Sequence, residues 1–358
     1  MTSHERVQCV MKGEIPDRVP FDTPFFFPEF RERWAAFAGR PGETLEDYYG
    51  LDVWEVEADH SPRPSMARVL SEDSDSRVLV DGFGEVRRER KESLGVWQVL
   101  DVAIKEKSDL DRFTFEPASD DARYERMAAE YERRKDRYWV RAKVGGPYSR
   151  SKRLRGEVPF LMDLATDEAF AVELVNRVTG LMIAVGVESI RRLKLTTAIH
   201  IHDDFASLRG LMFSPRVYER VFLPAMARMC EAFHGEGVRV IYGGEGRTMD
   251  VLPGLAAAGV DAFCCLEARA GMDAVELRRR LGDKVVFFGS MCNTVVLPKG
   301  SKEEIRAMVL RHMRLAHEGR SIAGPSHSVS DEVAPENLDY LWRLVQQWAP
   351  WDARLPKV

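Results

Sequence analysis

Asp59-His60, His202-Asp203-Asp204, the run Tyr242 to Arg247 and Pro325-Ser326-His327 each set polar, mostly ionisable groups beside an apolar stretch. Carboxylates next to imidazoles are equipment for general acid–base catalysis, because a charged neighbour decides whether the ring holds its proton near neutral pH. A further stretch, Gly145-Gly146-Pro147 followed by Arg150, Lys152, Arg153 and Arg155, supplies positive charge, and Arg209 adds a guanidinium near Ser207. Guanidinium forks grip carboxylates by two points. Brought to one rim, these groups make a pocket suited to a substrate carrying negative charge. Each also has a plainer reading. Asp59 caps a turn, one of His200 and His202 packs in the core, and the 150–155 run is a solvated face. Gly243-Gly244-Glu245-Gly246 resembles an anion cradle ahead of a helix. Cys264 and Cys265 read as strand packing rather than a metal site, since neighbours in a strand point to opposite faces.

The elements that must position these groups repeat a simple unit. A helical stretch closes at Gly, a short apolar β-branched or aromatic run follows, and a polar loop comes next. Gly237, Gly259, Gly282 and Gly319 precede runs at 238–242, 260–265, 284–289 and 321–324. A glycine suits the left-handed position that ends a helix, and short, nearly continuous apolar runs suit parallel strands covered on their outer face. Earlier runs at 18–22, 52–58, 138–144 and 197–202 bring the count to eight. Ser301 with Glu304 forms a capping box, Ser214-Pro215 starts another helix, and a long helix containing Phe170 and Leu174 runs to about Leu193. Eight strands mostly separated by helices predict an α/β fold, a (β/α)8 TIM barrel with function on the loops after the strands. Residues 77–101 break the rhythm as a hairpin-like insertion, a lid or an interface. With no Ser/Gly/Pro linker, a single domain over 1–358 is expected.

Hydrophobic residues make up 45% of the chain and charged residues 30%, which permits a large core. The net charge of −5, from 52 basic and 57 acidic residues, argues against a nucleic-acid or membrane-binding face. The first residues lack the apolar core of a signal peptide, and the apolar stretch 178–190 is too short to span a bilayer. The five cysteines are odd in number and scattered, so reduced thiols in a cytoplasmic protein are expected.

Several motifs carry a family resemblance from end to end. Met11-Lys12-Gly13-Glu14-Ile15-Pro16-Asp17-Arg18-Val19-Pro20 resembles the opening of the uroporphyrinogen decarboxylase superfamily. So do Phe27-Pro28-Glu29-Phe30-Arg31, the 205–215 segment, Leu252 to Asp261, and Ser326-His327 followed by Pro335-Glu336-Asn337. The resemblance implies the same barrel, and either heme-pathway decarboxylation or cobalamin-dependent methyl transfer. On the decarboxylase pattern Asp59, seven residues after Asp52, is the central aspartate that stabilises developing positive charge, with Ser207 and His327 as further catalytic groups. The arginines that precede the Phe27 motif in that branch are replaced by Phe21-Asp22-Thr23-Pro24-Phe25-Phe26. Arg150, Arg153 and Arg209 are then the candidate carboxylate clamp, with His202, Asp203, Tyr242 and Glu245 also at the substrate. No cofactor is expected for that reading. On the methyltransferase pattern, Gly243 and Glu245 stand where the zinc-binding His and Cys belong, so a thiolate zinc site is not expected. His202, Asp203, Glu245 and His327 are the weak candidates for a harder metal. That branch implies a corrinoid carried on a partner protein; a homodimer is expected in either case.

Overall fold

The computed structural model describes residues 1–356 apart from 41, 92–96 and 352. Seven strands form one parallel sheet in chain order: Val53–Glu57, Trp139–Gly145, Ala198–His202, Arg239–Gly243, Ala262–Cys264, Val286–Phe288 and Ser321–Ile322. The sheet curls until its last strand approaches its first, and the N-terminal segment fills the gap. Ala323 N donates to Pro20 O and Asp22 N to Ala323 O, while Asp52 N donates to Phe21 O, each at 2.9 Å. The sheet and this segment make an α/β, TIM-like barrel. The strand expected at 18–22 is therefore a bridging segment and not a full ladder. Pro20 has no N–H to contribute, which is one reason pairing there is sparse.

Asp52 fastens this seam from below. Its buried carboxylate accepts from Ser3 Oγ (2.8 Å), Arg6 Nη1 (2.7 Å), Arg18 Nη1 (2.9 Å) and Phe21 N (2.9 Å). It thereby ties the first helix, Ser3–Lys12, to the N-terminal segment and to the start of the first strand. Val7, Val10 and Met11 of that helix plug the bore. They pack with Val53, Trp139, Ala198, Ile241, Ala262, Val286 and Ile322 into an apolar floor separate from the larger core between strands and helices.

The helices begin as their sequences dictate. Ser301 Oγ accepts from Glu304 N at 3.2 Å and the Glu304 carboxylate accepts from Ser301 N at 2.7 Å, completing the box that starts Lys302–His317. The helix Glu168–Leu193 has 26 residues, longer than the apolar stretch at 178–190 suggests. By length and composition it could cross a membrane, but half of its most apolar window is buried within the fold. It packs on the strand Trp139–Gly145 and the helix Leu223–Gly235, as a core helix does.

The segment after the first strand forms its own antiparallel sheet of four strands, Arg68–Glu72, Ser76–Val80, Val86–Arg90 and Trp97–Asp101. A hairpin over 77–101 captures part of this meander. Arg68–Glu72 is exposed along its whole length, so it shows no buried face for a sequence pattern to register. Val96, placed in the hairpin's second run, lies outside the described residues.

Candidate active site

Three adjacent strands present the same order of side chains to the bore: an apolar residue low down, then two ionisable ones at two-residue steps. The first strand gives Val53, Glu55 and Glu57; the second gives Trp139, Arg141 and Lys143; the third gives Ala198, His200 and His202. The period of two in a strand puts each trio on one face. Gly243 on the next strand leaves room for them, because a Cβ there would lie 2.4 Å from His200 Nε2 and 2.6 Å from Cys264 Sγ.

The middle level is a closed polar chain. Arg141 Nε donates to Glu55 Oε2 at 2.9 Å, and one Nη of Arg141 lies 3.4 Å from Asp22 Oδ2. The same Glu55 oxygen is 2.7 Å from His200 Nδ1, and His200 Nε2 is 3.3 Å from Cys264 Sγ. Burial pushes the Glu55 carboxyl upward, but His200, Arg141 and Lys143 outweigh it and hold the group well below the usual range. Asp22 goes the other way: burial raises it, and Arg141 offsets only part. This level is anchored charge, committed to itself.

The upper level faces a cleft of about 940 Å³ lined by Asp22, Glu57, Asp59, Lys143, His202, Glu245, Cys265 and His327 among others. Two imidazole–carboxylate pairs stand there. His202 Nε2 lies 3.0 Å from Asp204 Oδ2, and His327 Nε2 contacts Glu245 Oε1 closely. Burial favours the neutral ring in both, yet the carboxylates prevail and carry each imidazole up to about 9. Both rings are therefore protonated at neutral pH. Lys143 Nζ sits 3.4 Å from Glu55 and 3.7 Å from Glu57, leaving its charge near the opening.

Of the residues singled out from sequence, His202, Glu245, His327 and Asp59 line this cleft. Asp59 is exposed at the rim, with Oδ1 accepting from Ser61 N at 2.9 Å and Ser61 Oγ at 2.5 Å. It caps a turn and still shows its other oxygen to solvent. Asp203 is fully buried, and its oxygens accept from Ser149 N (2.7 Å) and Tyr148 N (3.2 Å). It holds the start of the helix Pro147–Arg155 and is not at the cleft. Tyr242 is buried too, donating to the Asp203 carbonyl at 3.1 Å. Ser207 and Arg209 lie exposed on a small hairpin outside the lining, with Ser207 Oγ donating to Gly210 O. Arg153 is engaged by Asp81 of the inserted sheet, and Arg155 by Asp163 at 2.7 Å. The clamp expected of Arg153 and Arg209 is thus not assembled. Of the cations on the helix Pro147–Arg155, Arg150 alone has no carboxylate within ion-pair distance among the described residues.

Cys264 and Cys265 also depart from the strand rule. Cys265 has a left-handed backbone, φ 56°, which turns its Sγ to within 3.9 Å of Cys264 Sγ and into the cleft lining. Its hydrogen bond with Cys264, and then burial, push the Cys265 thiol well up. The residues sequence reasoning missed are Asp22, Glu55, Glu57, Arg141 and Lys143. Their signal was present as Glu-x-Glu and Arg-x-Lys inside otherwise apolar strands, the same spacing noticed at His200 and His202.

Among the described residues no three or more His, Cys, Asp or Glu side chains converge as metal ligands. Gly243 offers no donor, Glu245 is spent on His327, and Asp203 on backbone N–H groups. The donor set does not fit a thiolate zinc, nor the harder site from His202, Asp203, Glu245 and His327.

Comparison with known proteins places the chain. The family model described as uroporphyrinogen decarboxylase (URO-D) matches residues 99–348. The chain belongs to that family. A methyltransferase from Methanosarcina mazei shares the fold, with a TM-score of 0.70 and 13% identity over 97% of this chain and 99% of that one. A chitinase from Chromobacterium violaceum ATCC 12472 aligns at a TM-score of 0.41 and 8% identity, over 92% and 98% of the two chains. No curated protein matches the sequence.

Proposed function

We propose that this protein is a carboxy-lyase of the uroporphyrinogen decarboxylase type, acting on a ring that bears carboxylate side chains. The observation that carries this reading is the pair of imidazole–carboxylate contacts, His202 with Asp204 and His327 with Glu245, at one cleft. Loss of CO₂ needs an electron sink and a proton donor. Protonation of an electron-rich ring makes the sink; the C–C electrons flow into it as CO₂ departs, and a second proton quenches the exocyclic carbon while the ring returns the first. The net change consumes one proton. His202 and His327 are placed to deliver it, the free oxygen of Asp59 to stabilise the transient ring cation, and Lys143 to attract the anionic substrate. Substrate and general acids supply the whole reaction, and no cofactor is needed.

The test is CO₂ release from uroporphyrinogen and from simpler pyrrole acetates. Positioned general acids contribute about 10² to 10⁴ in rate, so His327→Gln and His202→Gln should each lose about a hundredfold or more in kcat. Activity should also fall as pH rises through about 9. Wild-type protein that releases no CO₂ from any of these compounds overturns the reading. Methyl transfer is the second reading, favoured by the fold shared with the Methanosarcina mazei methyltransferase and by the Cys265 thiol in the cleft lining. Demethylation of methylcobalamin, followed by its absorbance change, would put that reading ahead and imply a corrinoid-carrying partner.

A further inference from the structure

The polar chain through Glu55 and His200 ends on sulfur, and loss of CO₂ calls on none of its members. Glu55 Oε2 lies 2.7 Å from His200 Nδ1, and His200 Nε2 lies 3.3 Å from Cys264 Sγ. A carboxylate at one ring nitrogen keeps the proton there and leaves the other nitrogen as an acceptor. Nucleophile, base and orienting carboxylate therefore follow one another in the order that activates a thiol. Cys265 stands beside them. Neighbours in a regular strand point to opposite faces, but the left-handed φ of 56° at Cys265 brings its Sγ to 3.9 Å from that of Cys264 and into the cleft lining. A residue other than glycine holds such a backbone only where its surroundings impose it. Both thiols are free, and Cys265 keeps its proton at neutral pH, because its hydrogen bond with Cys264 and then burial push it well up.

We infer that Cys264 and Cys265 are a redox pair, oxidised to a vicinal disulfide by a hydroperoxide that enters through the cleft, with His200 as the base for Cys264. Cys264 gives its proton to His200, and the thiolate attacks one peroxide oxygen. The O–O bond breaks, the sulfur keeps OH as a sulfenic acid, and the other oxygen takes the proton back from His200 and leaves as water. The Cys265 sulfur then attacks the sulfenic sulfur; the S–O bond breaks, and the OH leaves with the Cys265 proton as a second water. Two thiols and one hydrogen peroxide become one disulfide and two waters. Adjacent Cα atoms are about 3.8 Å apart, closer than ordinary disulfides span, so a small thiol reduces the bridge readily. None of these four groups takes part in the proposed release of CO₂, so the redox pair stands whether or not that reading does.

Peptide mass measurement on the full chain tests it. Trypsin releases residues 248–269 as one peptide that holds both cysteines and no other. The folded protein is treated with one equivalent of hydrogen peroxide and then unfolded in an alkylating agent. That peptide should be lighter by two hydrogens and unalkylated, and dithiothreitol before alkylation should restore both thiols. Cys265→Ser should stop at a sulfenic acid on Cys264, trapped by dimedone, while Cys264→Ser should leave Cys265 unoxidised. His200→Gln should slow disulfide formation about a hundredfold, the scale of a positioned general base. Phenylarsine oxide, which bridges neighbouring thiols, requires no substitution and should protect both cysteines of the folded wild-type chain from later alkylation. Two cysteines that remain alkylatable after peroxide overturn the redox pair, as does an arsenical that protects neither. Equal oxidation of Cys264→Ser and Cys265→Ser, or a wild-type rate in folded His200→Gln, overturns the role of His200 as the base.

Discussion

The carboxylates of Asp204 and Glu245 draw His202 and His327 toward the protonated form, and these neighbours can be removed one at a time. Asp204→Asn should drop His202 from about 9 toward 6.5, and Glu245→Gln should do the same for His327, as read by NMR titration of the ring protons. Each ring binds its proton more tightly folded than unfolded. The stabilisation is therefore complete below about 6.5 and disappears as pH rises through about 9. The wild-type melting temperature should fall across that window, and less steeply in the Asp204→Asn protein. Asp59→Asn keeps the hydrogen bonds to Ser61 in place but removes the charge, so turnover should fall about a hundredfold with little change in melting temperature. Wild-type rates in that protein would rule Asp59 out. At this scale sequence reading found groups that sit just beyond strands, where a polar residue stands out. It passed over Glu55, Glu57, Arg141 and Lys143 because a charge within a strand resembles the solvent face of a half-buried one. Only the closure of the barrel makes that face an interior.

The helix Pro147–Arg155 shows how an element can absorb a residue that looks catalytic. Pro147 supplies the fixed φ favoured in a first turn, and Asp203 satisfies the N–H groups of Tyr148 and Ser149 from a neighbouring strand's end. Gly146 lets the two approach, since a Cβ there would lie 2.2 Å from the Asp203 Cβ. Asp203→Ala should therefore cost about 1–2 kcal/mol of stability, the scale of a lost N-cap, measured by urea unfolding. A loss of activity at unchanged stability would mean that Asp203 acts on substrate after all. Four of the seven ladder strands are short apolar runs after Gly237, Gly259, Gly282 and Gly319, and all seven were legible to within one or two residues. The vicinal cysteines were not. A left-handed non-glycine residue leaves no mark in a sequence, and the alternation rule fails where Cys265 turns back on Cys264.

At the scale of the molecule, the spacing of Asp52 and Asp59 brackets the first strand, Val53–Glu57, with Asp52 just before it and Asp59 two residues past its end. Seven residues at about 3.3 Å each separate them by roughly 23 Å, so one closes the barrel below and the other stands at its open end. Asp52→Ala would leave Arg6 and Arg18 without the carboxylate they share, and breaking a buried pair in this way costs about 3–5 kcal/mol. Urea unfolding should show that loss, and Arg6→Met with Asp52→Leu should recover part of it. Barrel class was readable from the count and rhythm of elements; the seam was not, because it rests on a few hydrogen bonds around Pro20 and on one carboxylate.

The plug of Val7, Val10 and Met11 beneath the apolar floor has a consequence for traffic. It makes the bore a blind alley. Whatever enters past Lys143 and the two imidazoles must back out by the door it used, and so must every fragment made from it. Arrival and departure then share one opening.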